Sequence, residues 1–419
     1  MKNTPPSTGL RLALASRTLG LVAVFATGMA WAQAPAADVV KVPLVNPLRL
    51  GLIGPFTGPS ADFGLPMHNG VRMAVDEINA AGGYLGRPLE LVVKDDTARP
   101  DVGRKLAEEL VADKVVATIG FCNTGVAQQS LEVFQGARMP LIIPCATGTP
   151  LTSKYPAAQS YIFRTSARDA IQAPFIVQDL AKRGWTKVAV FADTTGYGEA
   201  GLKDVEAALA ARQLKPVHVA RFATGVKDLG AELKAARDAG ANVIVGYTVG
   251  PENAVIAKGR RALKWDVPFV GPWTLSFPFF IDGARDAAEG ALMVQTFIAE
   301  PSNERRAAFL ANYARKYSAT RITVPVAAAQ GYDTAYLFMH ALFGVRGGQP
   351  LDGPTIKAAL ENIQRNYYGV VATYERPFSV DDKDAVTANM LYLGQVRNGA
   401  VTFAYPEDAK RNLFVQRKQ

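Results

Sequence analysis

In Ile119-Gly120-Phe121-Cys122-Asn123-Thr124-Gly125 an apolar run gives way to a polar turn and then to a helical pattern. The run, residues 115–120, reads as a buried strand, and Val126 to Ala137 reads as a helix. A helix start of this kind presents free N–H groups and the positive end of the helix dipole. Thr124 and Gly125 therefore stand where a small anion, such as a carboxylate, would dock. The signature repeats at Leu141-Ile142-Ile143-Pro144, followed by Cys145-Ala146-Thr147-Gly148. Together the two turns are read as holding one end of a small ligand. Taken alone, they also fit ordinary strand-to-helix loops of an α/β domain.

Upstream, Leu48 to Gly54 is a first strand and leads into a Gly/Pro loop, Pro55 to Gly64. The next helix is expected from about Pro66 to Ala81, with Val71, Ala74, Val75 and Ile78 as its buried stripe. Leu89 to Val93 is a strand, and Asp101 starts a helix to about Asp113. Alternation at this spacing gives a parallel, doubly wound sheet. The pattern then restarts. Strands are expected at 187–193, 217–222, 243–245, 269–271 and 290–297, with helices at 171–183, 199–212, 229–239 and 252–263. Three further helices, 303–317, 326–342 and 354–361, need a sheet to cover and are expected to return to the first lobe. The last stretch carries Asn398-Gly399, a hairpin signal, and is expected to add strands to the second lobe. The fold class is α/β. Its expected division is a first lobe of 49–165 plus 300–375 and a second of 166–299 plus 376–419.

Residues 1–32 read as a signal peptide, to be set aside from the fold. Lys2, Arg11 and Arg17 precede or flank an apolar run, Leu19 to Ala30, and Ala30-Trp31-Ala32 fits a cleavage site before Gln33. That run is too short for a membrane span. The chain is therefore expected to be exported, with a bacterial periplasm as the further inference. The formal charge of +9 is spread along the chain without a Lys/Arg block, which argues against a nucleic-acid face. The two cysteines, Cys122 and Cys145, would meet an oxidising compartment. A disulfide is feasible if their strands are neighbours; otherwise they are two free thiols.

Enzyme signatures are sparse. Gly196-Tyr197-Gly198-Glu199-Ala200-Gly201 is a literal G-x-G-x-x-G opening a helix after a strand, the local context of a dinucleotide site. The acid expected after the next strand is absent; Arg221 stands there and would suit a 2′-phosphate, so an NADP-dependent oxidoreductase is the least favoured reading. The other reading is a tight turn exposing Tyr197 at a cleft edge. His68, His218 and His340 lack partners at metal-ligand spacing, so neither metal nor cofactor is expected. Trp273 follows a strand end, where ligands bind in open α/β sheets, and is a candidate cleft wall.

At these residues the chain resembles the periplasmic solute-binding proteins of ABC importers, the leucine/isoleucine/valine-binding family. The marks are Gly54-Pro-Phe-Thr-Gly-Pro59, Asp76-Glu-Ile-Asn-Ala-Ala-Gly-Gly83, Asp95-Asp96, Phe163-Arg164-Thr165, Tyr197-Gly198, Ala288-Glu289-Gly290 and Gly331-Tyr332-Asp333. The resemblance implies a type I periplasmic binding fold, two doubly wound lobes joined by three crossing strands that close on a ligand. It implies no catalysis, a permease in the inner membrane as partner, and a monomer. By position, Thr124 corresponds to a carboxylate-binding hydroxyl. Ala146 and Thr147 correspond to groups holding carboxylate and ammonium, with Cys145 beside them. Phe63, Tyr197 and Tyr247 correspond to residues that cover the ligand. Where the family's amino-acid binders carry an acid for the ammonium, this chain has Trp273. Either another acid, Asp193 or Glu252, takes over, or the ligand lacks an ammonium. A hydrophobic amino acid and an aromatic or aliphatic acid both stay open. The same fold used as a ligand-sensing co-receptor is the alternative.

Overall fold

The computed structural model describes residues 46–411; the expected leader and the last eight residues of the second lobe lie outside them. The first sheet is fully parallel, in the order β2-β1-β3-β4-β5, with β1 Leu48–Gly54, β2 Leu89–Asp95, β3 Thr118–Gly120, β4 Leu141–Ile143 and β5 Ile162–Arg164. On one side Ile53, Leu141 and Ile143 share a core with Leu110, Val126, Leu131 and Phe134. These come from α2 (Pro100–Ala112) and α3 (Thr124–Gly136). α1 (Ala61–Ala80) covers the other side. A single turn, α4 (Pro150–Ser153), follows β4.

The second lobe repeats the plan with α5 (Asp169–Lys182), β6 (Val188–Asp193), α6 (Gly196–Ala210), β7 (His218–Phe222), α7 (Gly230–Asp238), β8 (Val243–Tyr247), α8 (Glu252–Ala262), β9 (Phe269–Gly271), α9 (Pro278–Ala284) and β10 (Leu292–Gln295). The chain then returns to the first lobe as α10 (Glu304–Tyr317), α11 (Pro325–Leu342) and α12 (Gly353–Glu361), with a small hairpin of β11 (Tyr367–Tyr368) and β12 (Thr373–Tyr374). It ends in the second lobe with β13 (Tyr392–Arg397), β14 (Ala400–Phe403) and α13 (Pro406–Arg411). The second sheet runs β14-β13-β10-β9-β8-β6-β7, parallel except where β13 pairs antiparallel with β10 and with β14. Asn398 and Gly399 both have positive φ, 51° and 71°, as a two-residue hairpin turn requires.

Close backbone approach docks the returning helices. A Cβ on Gly70 of α1 would lie 2.0 Å from the Ala328 carbonyl oxygen, and one on Gly331 of α11 would lie 2.6 Å from that of Met67. Glu77 accepts hydrogen bonds from Tyr332 (2.5 Å) and Tyr336 (2.9 Å) across the same seam. Asp333, fully buried, accepts from Val370 N, Val371 N and the Tyr367 and Tyr374 hydroxyls, tying down the small hairpin.

Among the boundaries that differ from expectation, two have a visible cause. α1 begins at Ala61, five residues before Pro66, because the carbonyl of Asp62 that Pro66 cannot satisfy accepts from Thr323 Oγ1 at 2.7 Å instead. β3 begins at Thr118, not Val115, because Lys114 takes a left-handed φ of 55° and Val115 N still bonds back to Leu110 O.

Three segments pass between the sheets: 165–168, 296–303 and 375–391. The first and third pair by backbone, Arg164 N to Lys383 O and Ala385 N to Arg164 O, both at 2.8 Å. Among the described residues no helix is long and apolar enough to cross a membrane.

Candidate ligand site in the cleft

The first lobe's side of the cleft is built from the ends of β3 and β4. Cys122 and Cys145 are bridged, with their Cα atoms 4.5 Å apart, so a covalent tie joins the two turns. Neighbouring parallel strands make that distance available. Thr124 opens α3 and is buried; its Oγ1 accepts from Gly148 N at 3.2 Å. No side chain caps α3, because the Asn123 amide turns away to Ser60 (3.2 Å). The first-turn N–H groups of α3 therefore face the cleft without a side-chain acceptor.

The second turn is more committed. Ala146 N donates to Phe121 O (3.0 Å), and Ala146 O accepts from Ser166 Oγ (2.8 Å). Thr147 O accepts from Asp169 N (2.9 Å) and Arg164 Nη1 (2.8 Å). These backbone groups hold the turn in shape, and the buried Thr147 hydroxyl, set against Asp169, is what the turn offers the cleft. Phe63 stacks on Phe277 with centroids 5.0 Å apart, closing one end of the seam from both sides.

The opposing wall is aromatic. Thr195 caps α6 through the N–H groups of Tyr197 and Gly198. Tyr197 and Tyr247 lie with ring centroids 5.2 Å apart, and both hydroxyls are buried, that of Tyr197 against Thr274 and that of Tyr247 against Asp169. Trp273 stands edge-on to Phe277 at 4.8 Å and keeps an unpartnered Nε1. Its backbone is gripped by Gln172 Oε1 (3.3 Å) at the nitrogen and by Ser276 Oγ (2.7 Å) at the oxygen.

The G-x-G-x-x-G is explained by packing, not by a nucleotide. A Cβ on Gly196 would lie 3.0 Å from Gly125 Cα, where the starts of α3 and α6 meet across the cleft. On Gly198 it would lie 2.0 Å from Asp193 O, and on Gly201 1.9 Å from the Tyr247 ring. Arg221, the residue that would have met a 2′-phosphate, is paired with Glu199. The dinucleotide reading is therefore set aside.

Neither acid proposed to replace the missing one serves the cleft. Asp193 accepts from Thr195 N (2.9 Å) and Val249 N (2.8 Å), and Glu252 accepts from Gly225 N (2.5 Å) and Thr248 Oγ1 (3.3 Å). Both brace loops. The acid facing the cleft is Asp169, the first residue of α5, which the sequence presents only as a helix-start carboxylate. It is fully buried; Oδ1 accepts from Gln172 Nε2 (3.1 Å), and the carboxyl also meets the hydroxyls of Thr147 and Tyr247. Burial pushes its carboxyl up to about 7, partly opposed by the nearby Thr147 hydroxyl and by Arg164. Burial and then the charge of Asp169 push the Tyr197 and Tyr247 phenols well above their ordinary value, so both remain hydrogen-bond donors.

Gln330 is the other residue the sequence did not single out. Its signal is a lone amide inside the apolar stretch of α11, and it is 3% exposed with an unpartnered Oε1. Thr274 adds one more buried hydroxyl, set against that of Tyr197. The structure thus brings Thr124, Thr147, Tyr197, Tyr247 and Trp273 to one cleft with Phe63 at its edge. Cys145 and Ala146 contribute through the disulfide and the turn.

The chain matches the model of a periplasmic binding protein family over residues 47–400. It is 29% identical over 272 residues to the leucine-, isoleucine-, valine-, threonine- and alanine-binding protein of Pseudomonas aeruginosa, covering 64% of this chain and 70% of that one. It is 30% identical over 311 residues to the Leu/Ile/Val-binding protein BraC3 of Rhizobium johnstonii, covering 74% and 81%. Its fold is also that of a solute-binding protein of an ABC transporter from Rhodopseudomonas palustris HaA2, solved in complex with p-hydroxybenzoic acid. That likeness has a TM-score of 0.73 at 23% identity and covers 85% of this chain and 95% of that one. With two doubly wound lobes, three crossings and a match spanning nearly all the described residues, the chain belongs to the periplasmic binding protein family.

Proposed function

We propose that this protein captures a small carboxylate-bearing solute between its lobes by hinge closure and delivers it, in the periplasm, to the permease of an ABC importer. The observation that carries this is a set of buried polar atoms drawn from both lobes that meet only one another or nothing: Thr147 Oγ1 and Gln330 Oε1 from one, Asp169 Oδ2, Tyr197 OH, Tyr247 OH, Trp273 Nε1 and Thr274 Oγ1 from the other, of which Gln330 Oε1 and Trp273 Nε1 have no partner at all. Each such group costs about 1–3 kcal/mol when left unsatisfied. A ligand that supplies their partners offsets that cost only when the lobes are closed, which is what drives closure. The moving bodies are residues 49–165 with 300–375 and residues 166–299 with 376–419. The carboxylate docks at Thr124 and the first turn of α3, and Phe63, Tyr197, Tyr247 and Trp273 enclose the rest.

Asp169 favours an ammonium-bearing ligand, a hydrophobic amino acid, over a plain acid. The two classes give opposite pH slopes. An ammonium beside Asp169 favours its charged form, so binding near pH 6.5 releases a proton, and affinity weakens by up to roughly tenfold per pH unit below about 7. A plain carboxylate binds best with Asp169 protonated, so its affinity strengthens as pH falls toward the ligand's own pKa. A thermal-shift screen of amino acids, aromatic acids and short-chain acids identifies the class. Calorimetry from pH 5 to 8 in buffers of different ionisation enthalpy then reads the proton. Asp169→Asn is expected to flatten the slope. A slope unchanged in that variant would remove Asp169 from the site, and no stabilising ligand in the screen would sink solute capture.

A further inference from the structure

On the hinge side of the cleft, Thr147, Ala167, Gln172, Trp273, Gln295 and Gln330 help line a cavity of about 10 Å³, room for about one water-sized atom. Trp273 and Gln330, 6% and 3% exposed, each keep one buried polar atom without a partner there. Trp273 Nε1–H can only donate, and the amide oxygen of Gln330 can only accept. In the structure Gln330 Nε2 donates to Thr296 Oγ1 at 2.8 Å and the amide oxygen is the atom left free.

A donor and an acceptor without partners, carried by two residues that line a one-atom space, select a group that can both accept and donate. An ammonium has nothing to offer the indole N–H, and a carboxylate has no hydrogen for the Gln330 oxygen. A bare aliphatic or aromatic side chain leaves both unsatisfied. We propose that the captured carboxylate carries a second, uncharged polar group, a hydroxyl, seated between Trp273 Nε1 and Gln330 Oε1 at the hinge end of the cleft. This rests on the solute-capture reading.

The hinge itself reads that hydroxyl. Gln330 O accepts from Thr334 Oγ1 (2.6 Å), which also shares a hydrogen bond with Thr165 Oγ1 (2.5 Å) on the first crossing. Gln330 Nε2 reaches Thr296 on the second crossing. Gln330 is thus tied to two of the three segments that bend when the lobes move, and its partner Trp273 belongs to the opposite lobe. The specificity of the site is in this way joined to closure.

The test is calorimetry on the purified protein with matched pairs: valine and threonine, phenylalanine and tyrosine, benzoate and 3- or 4-hydroxybenzoate. A site built around a hydroxyl discriminates strongly against the analogue that lacks it. In at least one pair the hydroxylated member is expected to bind about tenfold tighter or better. Trp273→Phe and Gln330→Met are each expected to collapse that ratio to within about threefold, with thermal unfolding of the ligand-free variants as the check on folding. Acids that bind with no hydroxyl preference in any pair overturn the proposal and leave solute capture standing; a bridging water would give that result. If no acid of any pair binds, both readings fall. If neither variant folds, the wild-type ratios alone decide.

Discussion

Replacing Arg164 with methionine is expected to cost about 3–5 kcal/mol of stability, the loss usual when one partner of a buried ion pair is removed. Arg164 is 0% exposed, and every part of its guanidinium is used. Nε donates to Asp384 Oδ1 (2.6 Å), Nη1 to the carbonyls of Thr147 and Gly148 (2.8 Å each), and Nη2 to Thr152 Oγ1 (2.6 Å). Burial alone would raise the Asp384 carboxyl, but the Arg164 charge and hydrogen bond, with Arg168 and Thr152, together outweigh it and hold that carboxyl below its ordinary range. The sign follows from that depression. The stabilisation is present above the unfolded carboxylate pKa of about 3.9 and is lost as pH falls through the lower folded value. Urea denaturation at pH 7 and pH 3.5 should therefore show a large deficit for the variant at pH 7 and a smaller one in acid. An equal deficit at both would mean the damage is packing, not charge. Because two of the four bonds hold the Thr147 turn, ligand affinity should fall as well.

Gly196→Val is expected to weaken ligand binding about a hundredfold or more while leaving the ligand-free protein nearly as stable, because the cost of an overpacked contact falls on the closed form alone. The Cβ would meet Gln128 Oε1 at 2.4 Å, which can swing away, but also Gly125 Cα at 3.0 Å and Gly125 N at 3.2 Å, which cannot. Those backbone atoms belong to the other lobe, so under the proposed hinge closure they come near only when the cleft is shut. Gly125→Ala should be the milder change at the same seam, since its Cβ would find only Gly196 N at 3.7 Å. Calorimetry for affinity and a ligand-free melt for stability separate the two effects. A matching loss in both would show that the contact is part of the resting fold and not of closure.

Much of the architecture was legible because its signals are local. β1 and β9 match the expected residues to the end because each is an apolar run bounded by turn formers. The last hairpin was announced by Asn398-Gly399, which only that turn geometry explains. The start of α1 was not legible: Pro66 looks like a first-turn proline, and Thr323, which repairs the lost hydrogen bond, lies 261 residues away. The site divides in the same way. Thr124, Tyr197 and Trp273 stand at strand ends and helix starts, positions that sequence marks. Asp169 and Gln330 gain their meaning from burial and from the atoms they face, which are properties of the assembled molecule. The three glycines of the 196–201 motif misled because packing against Gly125, Asp193 and Tyr247 demands the same residue type as a pyrophosphate turn.

The pairing of β13 with β10 and the clasp between Arg164 and Asp384, 220 residues apart, also govern the order in which the molecule can assemble. The ribosome delivers the chain from its amino end, yet both lobes are finished by segments that follow every cleft residue in the sequence. A nascent chain that stops at residue 375 already contains every cleft residue named above, but β10 lacks its antiparallel neighbour and Arg164 its carboxylate. Such a chain should remain open to proteases, with protection arriving abruptly once the segment through Phe403 has emerged, as pulse proteolysis of stalled chains of defined length would show. A protein built this way keeps its lobes unfinished, and its chain threadable, well after the residues that line its cleft have been made.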